Sequence, residues 1–569
     1  MANFGTLEFV LDRYSGTWCW KISGTRAVNM VSKLIPRGWY GDKPNEVIVS
    51  DTDENTKKLK MINDRYPFEV LSKSVWKRKI IPLTIKKKRV PKIEKLSQEL
   101  PSKQFRGKLL DFQREGLDFL LKTSGNALLA DEMGLGKTVQ TLAYLSKEKN
   151  AFPALIIAPL VTLTNWQKEI ERFLKKKGKN GKIVEKKSPS CFMIRQGRQS
   201  DIAEYDFYII NYELLHKRLP DLLKLNIRSV ICDEVQHLRS KTIQKYSAVK
   251  KLAAKDGVKY RVGLSGTPIY NRGSEIWPIV DILKPGLLGS FKEFCEYFCY
   301  VNEKGKAIVL ENKRDSLRNQ LTKHVMLRRK KSDVLKELKD KVRCPEVVAS
   351  DEKFYKAELD KIWSKLEEEQ KYAQTAFDKS ASYHRAIESE RQAAGIAKLP
   401  HVINFVNDIM EIEESVVVFC HHRAIHDLLH QSLSKYNPSS IIGGQTDKLR
   451  ENEITRFQKG NTKLMIAGLR AGNVGINLNN ASYVIFAELD WSPAIHRQAE
   501  DRLHRIGQKN TVFAYYLVGN GTLDEHVADI LVDKSYEIDT ILDAKTESFE
   551  NKERAKLILA QIHDKIKTK

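Results

Sequence analysis

Apolar and polar positions alternate in three different ways along the chain. Over residues 1–95, LEFVLD and EVIVSD read as short strands, while TRAVNMVSKLI and ENTKKLKMINDRY space their apolar residues as helices do. That mixture predicts a small α+β module. From Leu109 the rhythm changes: NALLA, ALIIAP, SVICDE and YRVGLSGTP are short apolar runs that end in polar loops, with amphipathic segments such as KTVQTLAYLSK between them. Fully apolar strands alternating with helices predict βαβ units on a parallel sheet covered on both faces. Lys353 to about Glu390 is charged and helical, and a second strand series follows from Ser415: SVVVFC, SSIIGG, KLMIAG, SYVIFAE and TVFAYYLV. From Asp524 the chain is helical and charged again.

Length and composition limit what these elements build. At roughly 100–200 residues per domain, 569 residues make several domains, each able to bury its own core. Hydrophobic residues are 41% and charged residues 30%, which excludes a disordered or collagen-like chain. No run approaches the roughly 18 apolar residues of a membrane span. The start, MANFGTLEFVLDRYSG, lacks the pattern of a secretory signal. The expected setting is therefore the cytoplasm, or the nucleus in a eukaryote. The seven scattered cysteines lack zinc-site spacing, so no zinc and reduced thiols are expected. The net charge of +25 attracts polyanions without choosing among nucleic acid, membrane and acidic protein. Lys86-Lys87-Lys88-Arg89, between Pro82 and Pro91, reads as a basic linker.

The candidate chemistry begins at Asp131-Glu132-Met133-Gly134-Leu135-Gly136-Lys137-Thr138, between a strand and a helix. The backbone N–H groups of such a loop cradle phosphate oxygens, Lys137 reaches the β/γ-phosphates and Thr138 holds Mg²⁺. The strict pattern has Gly where this chain has Asp131. SVICDEVQ brings Asp233 and Glu234 to the end of a strand, where one carboxylate suits Mg²⁺ and the other suits an attacking water. GLSGTP, residues 263–268, follows a third strand.

DEMGLGKT, the AP-L-x₄-NW segment from Ala158 to Trp166, DEVQ, LSGTP and QAEDRLHRIGQ from Gln498 to Gln508 occur in this order. The series resembles the Swi/Snf-like family of superfamily-two ATPases, from about Leu109 to about Glu525. FAELDWSP, FCHHR and IAKLP look most like its HARP-type annealing-helicase branch. The resemblance implies an α/β fold of two RecA-like parallel-sheet lobes with helical insertions, beside the small module. The expected divisions are an accessory module over 1–95, lobe 1 over 96–345, a helical linker over 346–400, lobe 2 over 401–525 and a helical brace over 526–569. It implies ATP and Mg²⁺ as cofactors. Gln113, Gly134, Gly136, Lys137 and Thr138 would hold the nucleotide; Thr138 and Asp233 would hold the metal. Lys137, Glu234, Gln498, Arg502 and Arg505 would carry catalysis, the two arginines by neutralising charge on the transferring phosphoryl group. Ser265 and Thr267 would couple ATP to DNA, which Arg470, Ala471, Gly472, Asn165 and Trp166 would contact.

The implied partner is double-stranded or branched DNA, and the implied function is a DNA-dependent ATPase that translocates on duplex and remodels or anneals forks. A strand-separating helicase, an RNA-directed enzyme and a DNA-binding scaffold with a vestigial ATPase are the alternatives. Arg328-Arg329-Lys330-Lys331 resembles a recurrent basic element of the family; a solvated helix face is the other reading. Trp18, Trp20, Trp39 and Trp76 are either module core or a stacking platform for exposed bases.

Overall fold

The structure is a computed structural model. It describes residues 5–543 apart from 13–16, 36–38, 41–42, 44, 66–67, 77–78, 80–99, 149, 178–182, 185–186, 196–203, 302–305, 413–414 and 473–475. The basic linker and the end of the C-terminal brace lie outside the described residues.

Two parallel sheets carry the chain. The first orders its strands Cys191–Met193, Phe207–Asn211, Ala154–Ala158, Ser229–Asp233, Tyr260–Leu264, Asn126–Leu129 and Met326–Leu327, every pair parallel. The second runs Lys341–Val348, Val512–Gly519, Tyr483–Phe486, Val416–Cys420, Leu464–Gly468 and Ser439–Ile441, again all parallel. Leu155, Ile156 and Ile157 show why: side chains on both faces of their strand are buried, into two different cores. Each such side chain contributes about 1.5–3 kcal/mol on leaving water.

One division differs from the sequence expectation. Residues 341–345 were expected to close lobe 1, yet Lys341–Val348 pairs along its whole length with Val512–Gly519 in the second sheet. Its alternating polar residues hid it, because Arg343 and Lys341 project to buried carboxylates rather than to solvent. The second lobe thus starts at Lys341. The charged stretch after it forms the antiparallel helices Glu352–Tyr372 and Ala376–Ala397.

The amino-terminal module orders Trp39–Tyr40, Glu46–Ser50, Trp18–Ser23, Thr6–Leu11 and Glu69–Val70, with helices Thr25–Leu34 and Asp53–Arg65. Trp20 and Trp76 meet edge to face in its core, whereas Trp18 is 55% exposed and stacks on Phe9. That core is continuous with the second lobe, joining Leu7, Val31 and Leu59 to Val342, Val402 and Tyr515. Helix Leu523–Leu542 bridges both lobes. Val527 and Leu531 belong to a second-lobe core, and Ile538 and Ile541 to a first-lobe core. No described helix is long and apolar enough to cross a membrane. All seven cysteines are free thiols.

Candidate functional site

The carboxyl ends of three first-lobe strands converge on one edge, where an open α/β sheet offers its crevice. After Asn126–Leu129 the chain turns through Gly134 and Gly136, at φ +86° and +76°, and enters helix Lys137–Lys147. The positive φ favours glycine at Gly136, and a Cβ there would stand 2.5 Å from the Gln113 amide and displace it. No side chain caps this helix, which leaves its first-turn N–H groups for an anion. Lys137 Nζ donates to the carbonyls of Asp131, at 2.8 Å, and Glu132, at 3.3 Å. Burial lowers its pKa, against the pull of Glu234, Asp131 and Asp233. Thr138 follows in the first helical turn, half-buried. Gln113 accepts from the Leu110 N–H at 3.0 Å, capping its own helix, and donates to the Leu135 carbonyl at 3.4 Å.

Asp131, the departure from the strict loop pattern, has a structural explanation. Its buried carboxylate accepts from Arg329 Nε at 3.0 Å and Nη2 at 2.5 Å, and from Gln140 Nε2 at 3.2 Å. Arg329 comes from the strand-edge segment after Met326–Leu327, so the pair ties that edge to the loop. This overturns the reading of Arg328 to Lys331 as a solvated helix face. Arg328 pairs with Asp543 at 2.9 Å, Arg329 is buried on Asp131, and Lys331 is buried on Asp501 at 2.9 Å. Lys330 also reaches Asp543, at 3.5 Å, so all four charges sit in ion pairs and no solvated face remains.

Asp233 ends its strand two places from the loop's own, with Tyr260–Leu264 between them. Burial and the adjacent Glu234 push its pKa up to about 6, while Trp166 and Lys137 act the other way. The Trp166 indole N–H donates to Asp233 Oδ2 at 2.8 Å, and the Glu234 backbone N–H to Oδ1 at 3.0 Å. Glu234 itself is held left-handed, at φ 48°, a conformation of the kind that gathers at functional sites.

From Glu234 a hydrogen-bond chain crosses to the other lobe. Gln236 Nε2 donates to Glu234 Oε2 at 2.7 Å; the Ser265 hydroxyl donates to Gln236 Oε1 at 2.7 Å. The Thr267 N–H donates to Ser265 Oγ at 3.0 Å, and Gln498 Nε2 of the second lobe donates to Thr267 Oγ1 at 3.0 Å. Gln498 lies on helix Pro493–Leu503 with Arg502, whose pKa burial lowers to about 10 although Glu234 pulls it up. Arg505 follows, its Cβ 3.4 Å from where a Cβ on Gly134 would sit. The helix is fixed by Glu500, which Arg343 clamps with two bonds of 2.7 Å, and by Asp501, shared between Lys341 at 3.1 Å and Lys331.

The structure thus gathers Gln113, Gly134, Gly136, Lys137, Thr138, Asp233, Glu234, Ser265, Thr267, Gln498, Arg502 and Arg505 around one interlobe cleft. The five residues expected to meet DNA divide differently. Asn165 and Arg470 are exposed, and Arg470 lies 3.7 Å from Asp490. Ala471 and Gly472 end the short helix Leu469–Gly472, with the Ala471 carbonyl accepting from Arg450 at 2.5 Å. Trp166 is a correction: it is 1% exposed inside the first-lobe core, with its one polar atom spent on Asp233. It cannot present a face to a nucleic acid. Sequence reasoning missed Gln236, Arg329 and Asp501. Gln236 and Asp501 stood inside quoted motifs, but only the fold pairs Arg329 with a residue 198 positions away.

Comparison with known proteins agrees in order and extent. The SNF2-related domain matches residues 112–396, and the helicase conserved C-terminal domain matches 397–507. The SWI/SNF-related matrix-associated actin-dependent regulator of chromatin subfamily A-like protein 1 of Xenopus laevis is 30% identical over 438 residues, 75% of this chain and 43% of that protein. The human DNA annealing helicase and endonuclease ZRANB3 is 28% identical over 488 residues, 82% of this chain and 44% of that protein. The Sulfolobus solfataricus SWI2/SNF2 ATPase core in complex with dsDNA aligns over 82% of this chain and 98% of its own, at 24% identity and a TM-score of 0.39. The chain spans about half the length of the curated relatives it matches first. With the SNF2-related domain over half its length and the helicase C-terminal domain directly after it, the chain belongs to the SNF2-related family.

Proposed function

We propose that the chain is a DNA-dependent ATPase that translocates on duplex DNA and remodels or anneals branched and forked DNA. The observation that carries this reading is the hydrogen-bond chain from Glu234 through Gln236, Ser265 and Thr267 to Gln498. It joins the carboxylate suited to activating water to the lobe that bears Arg502 and Arg505. A change at the nucleotide therefore alters how the two lobes sit, and a ligand drives such a change only through its differential affinity for the two states.

In this reading the loop N–H groups and Lys137 bind the phosphates, and Gln113 closes the adenine side. Mg²⁺, held by Thr138 and Asp233, would neutralise phosphate charge. Glu234 takes a proton from the attacking water, and Arg502 and Arg505 meet charge developing on the phosphoryl group. The uncapped helix at Lys137 and the carboxylate at Asp233 fit these two groups. Residues 1–95 form an accessory module, 96–340 and 341–525 the two lobes with the helical hairpin inside the second, and 526–569 a brace. Asn165 and Arg470 contact the DNA backbone, with little reading of sequence.

The test is ATP turnover without nucleic acid and with single-stranded, duplex, forked and four-way DNA, beside duplex RNA. Duplex or branched DNA should raise turnover strongly, Lys137→Ala and Glu234→Gln should abolish it, and DNA affinity should fall steeply with salt. Displacement of a third strand without separation of the duplex distinguishes translocation from unwinding. Turnover indifferent to every nucleic acid sinks the reading.

A further inference from the structure

Two adjacent histidines at the carboxyl end of strand Val416–Cys420 remain outside the nucleotide cleft. His421 and His422 face Glu388, which projects from the helix Ala376–Ala397. Glu388 Oε2 lies 3.4 Å from His421 Nε2 and 3.5 Å from His422 Nε2. We propose that Glu388, His421 and His422 bind one divalent transition-metal cation of the zinc class, with a water as fourth ligand.

The spacing is the first argument. Tetrahedral zinc bonded at about 2.0–2.2 Å to nitrogen and oxygen sets its donor atoms roughly 3.3–3.6 Å apart. Both separations lie in that range. Two imidazoles and a carboxylate are also the donor set that suits this cation while leaving a position open.

The surroundings are the second argument. His422 Nδ1 is 2.6 Å from Glu488 Oε1, which fixes Nδ1 as the protonated nitrogen and turns the Nε2 lone pair toward Glu388. His421 Nδ1 is 3.8 Å from Asp490 Oδ2. His422 thus has a buried carboxylate bonded behind it, the arrangement that orients metal-binding histidines, while Asp490 stands near His421 without bonding it. Among the proposed ligand atoms, His422 Nε2 is buried without a hydrogen-bond partner. An unsatisfied buried nitrogen is costly unless something occupies it. Glu388 is half exposed and opens the entry path.

One group opposes the cation. Arg391 Nη1 contacts both Glu388 oxygens, at 3.0 and 3.1 Å, and His421 Nε2 at 3.3 Å. Its Nη2 is anchored on the Leu489 carbonyl at 2.8 Å. Binding requires Nη1 to leave Glu388 while Nη2 holds, so Arg391 acts as a competing occupant. The site would clamp the root of the 352–397 helical hairpin to the second sheet. It departs from the sequence expectation of no zinc, because Glu388 comes from a separate element 33 residues before His421.

The experiment uses the full chain, purified without a histidine tag, stripped with chelator and titrated with Co²⁺ alone. One equivalent should give the visible absorption of a tetrahedral site, without a thiolate charge-transfer band, and Zn²⁺ should displace it. Glu388→Gln and His422→Gln should each abolish the band, Glu488→Gln should weaken binding about 10–100-fold, and Arg391→Gln should tighten it. Absence of a stoichiometric band in the unmodified chain overturns the proposal without recourse to any variant. So does a thiolate band, or a band that survives in folded Glu388→Gln and His422→Gln proteins.

Discussion

Gln498 of the second lobe donates to the Thr267 hydroxyl of the first at 3.0 Å, and both side chains are buried. The bond ends a chain that begins on Glu234, so it reports whether the lobes are docked. Thr267→Val keeps the shape and removes the acceptor. A typical hydrogen bond is worth about 1 kcal/mol net, or about fivefold in rate. DNA-stimulated turnover should fall by about that factor or more, with half-saturating ATP nearly unchanged. Wild-type turnover in this variant would show the bond to be idle.

The Asp131–Arg329 pair predicts a stability effect instead. Arg329→Met strands a carboxylate that is 0% exposed, and losing one partner of a buried pair costs about 3–5 kcal/mol. Urea unfolding should show that loss, and adding Asp131→Asn should recover part of it. The same network explains Gly116. An alanine in a helix interior normally gains about 1 kcal/mol over glycine, but here its Cβ would meet Gln140 Oε1 at 1.7 Å and Arg329 Nη2 at 3.1 Å. Gly116→Ala should therefore destabilise.

What was legible in the sequence follows from range. The strand series and the phosphate loop are local signals, since runs such as ALIIA and SVICD are apolar on both faces wherever they fold. Long-range pairings were not legible. Nothing local marks Arg329 as the partner of Asp131, or Lys341–Val348 as a strand of the second sheet, because their charges find carboxylates only after folding. Trp166 misled because its motif does not tell inward from outward positions. Asn165, beside it on the same helix, is exposed, while Trp166 turns inward.

His504 predicts a pH dependence. Burial first, then Lys341 and Lys331, lower its pKa to about 4, and Nε2 donates to the Lys339 carbonyl at 2.7 Å. The unfolded chain binds that proton near the ordinary value of about 6.5. Between the two values the unfolded state holds more protons, so stability falls as pH drops through that window. The contribution is at most about 3 kcal/mol. His504→Gln keeps a donor for Lys339 and does not titrate. Its stability should drop less between pH 7 and pH 5 than that of the unmodified chain, measured by urea midpoints at both values.

Trp166→Phe separates two roles for one residue. The indole N–H is the donor that lowers the Asp233 pKa against burial and Glu234. Phenylalanine keeps most of the packing and loses the donor, so the carboxylate holds its proton more tightly and competes less well for Mg²⁺. A hydrogen bond to a charged group is worth about 1.5–3 kcal/mol, so half-saturating Mg²⁺ for ATP turnover should rise roughly tenfold or more. The rise should be largest at and below about pH 6 and shrink at higher pH, where the carboxylate is ionised in both proteins. Duplex DNA affinity, read by salt titration, should not change, because a side chain 1% exposed offers no surface to a phosphate backbone or a base. Lower DNA affinity with an unchanged Mg²⁺ requirement would return Trp166 to the DNA interface.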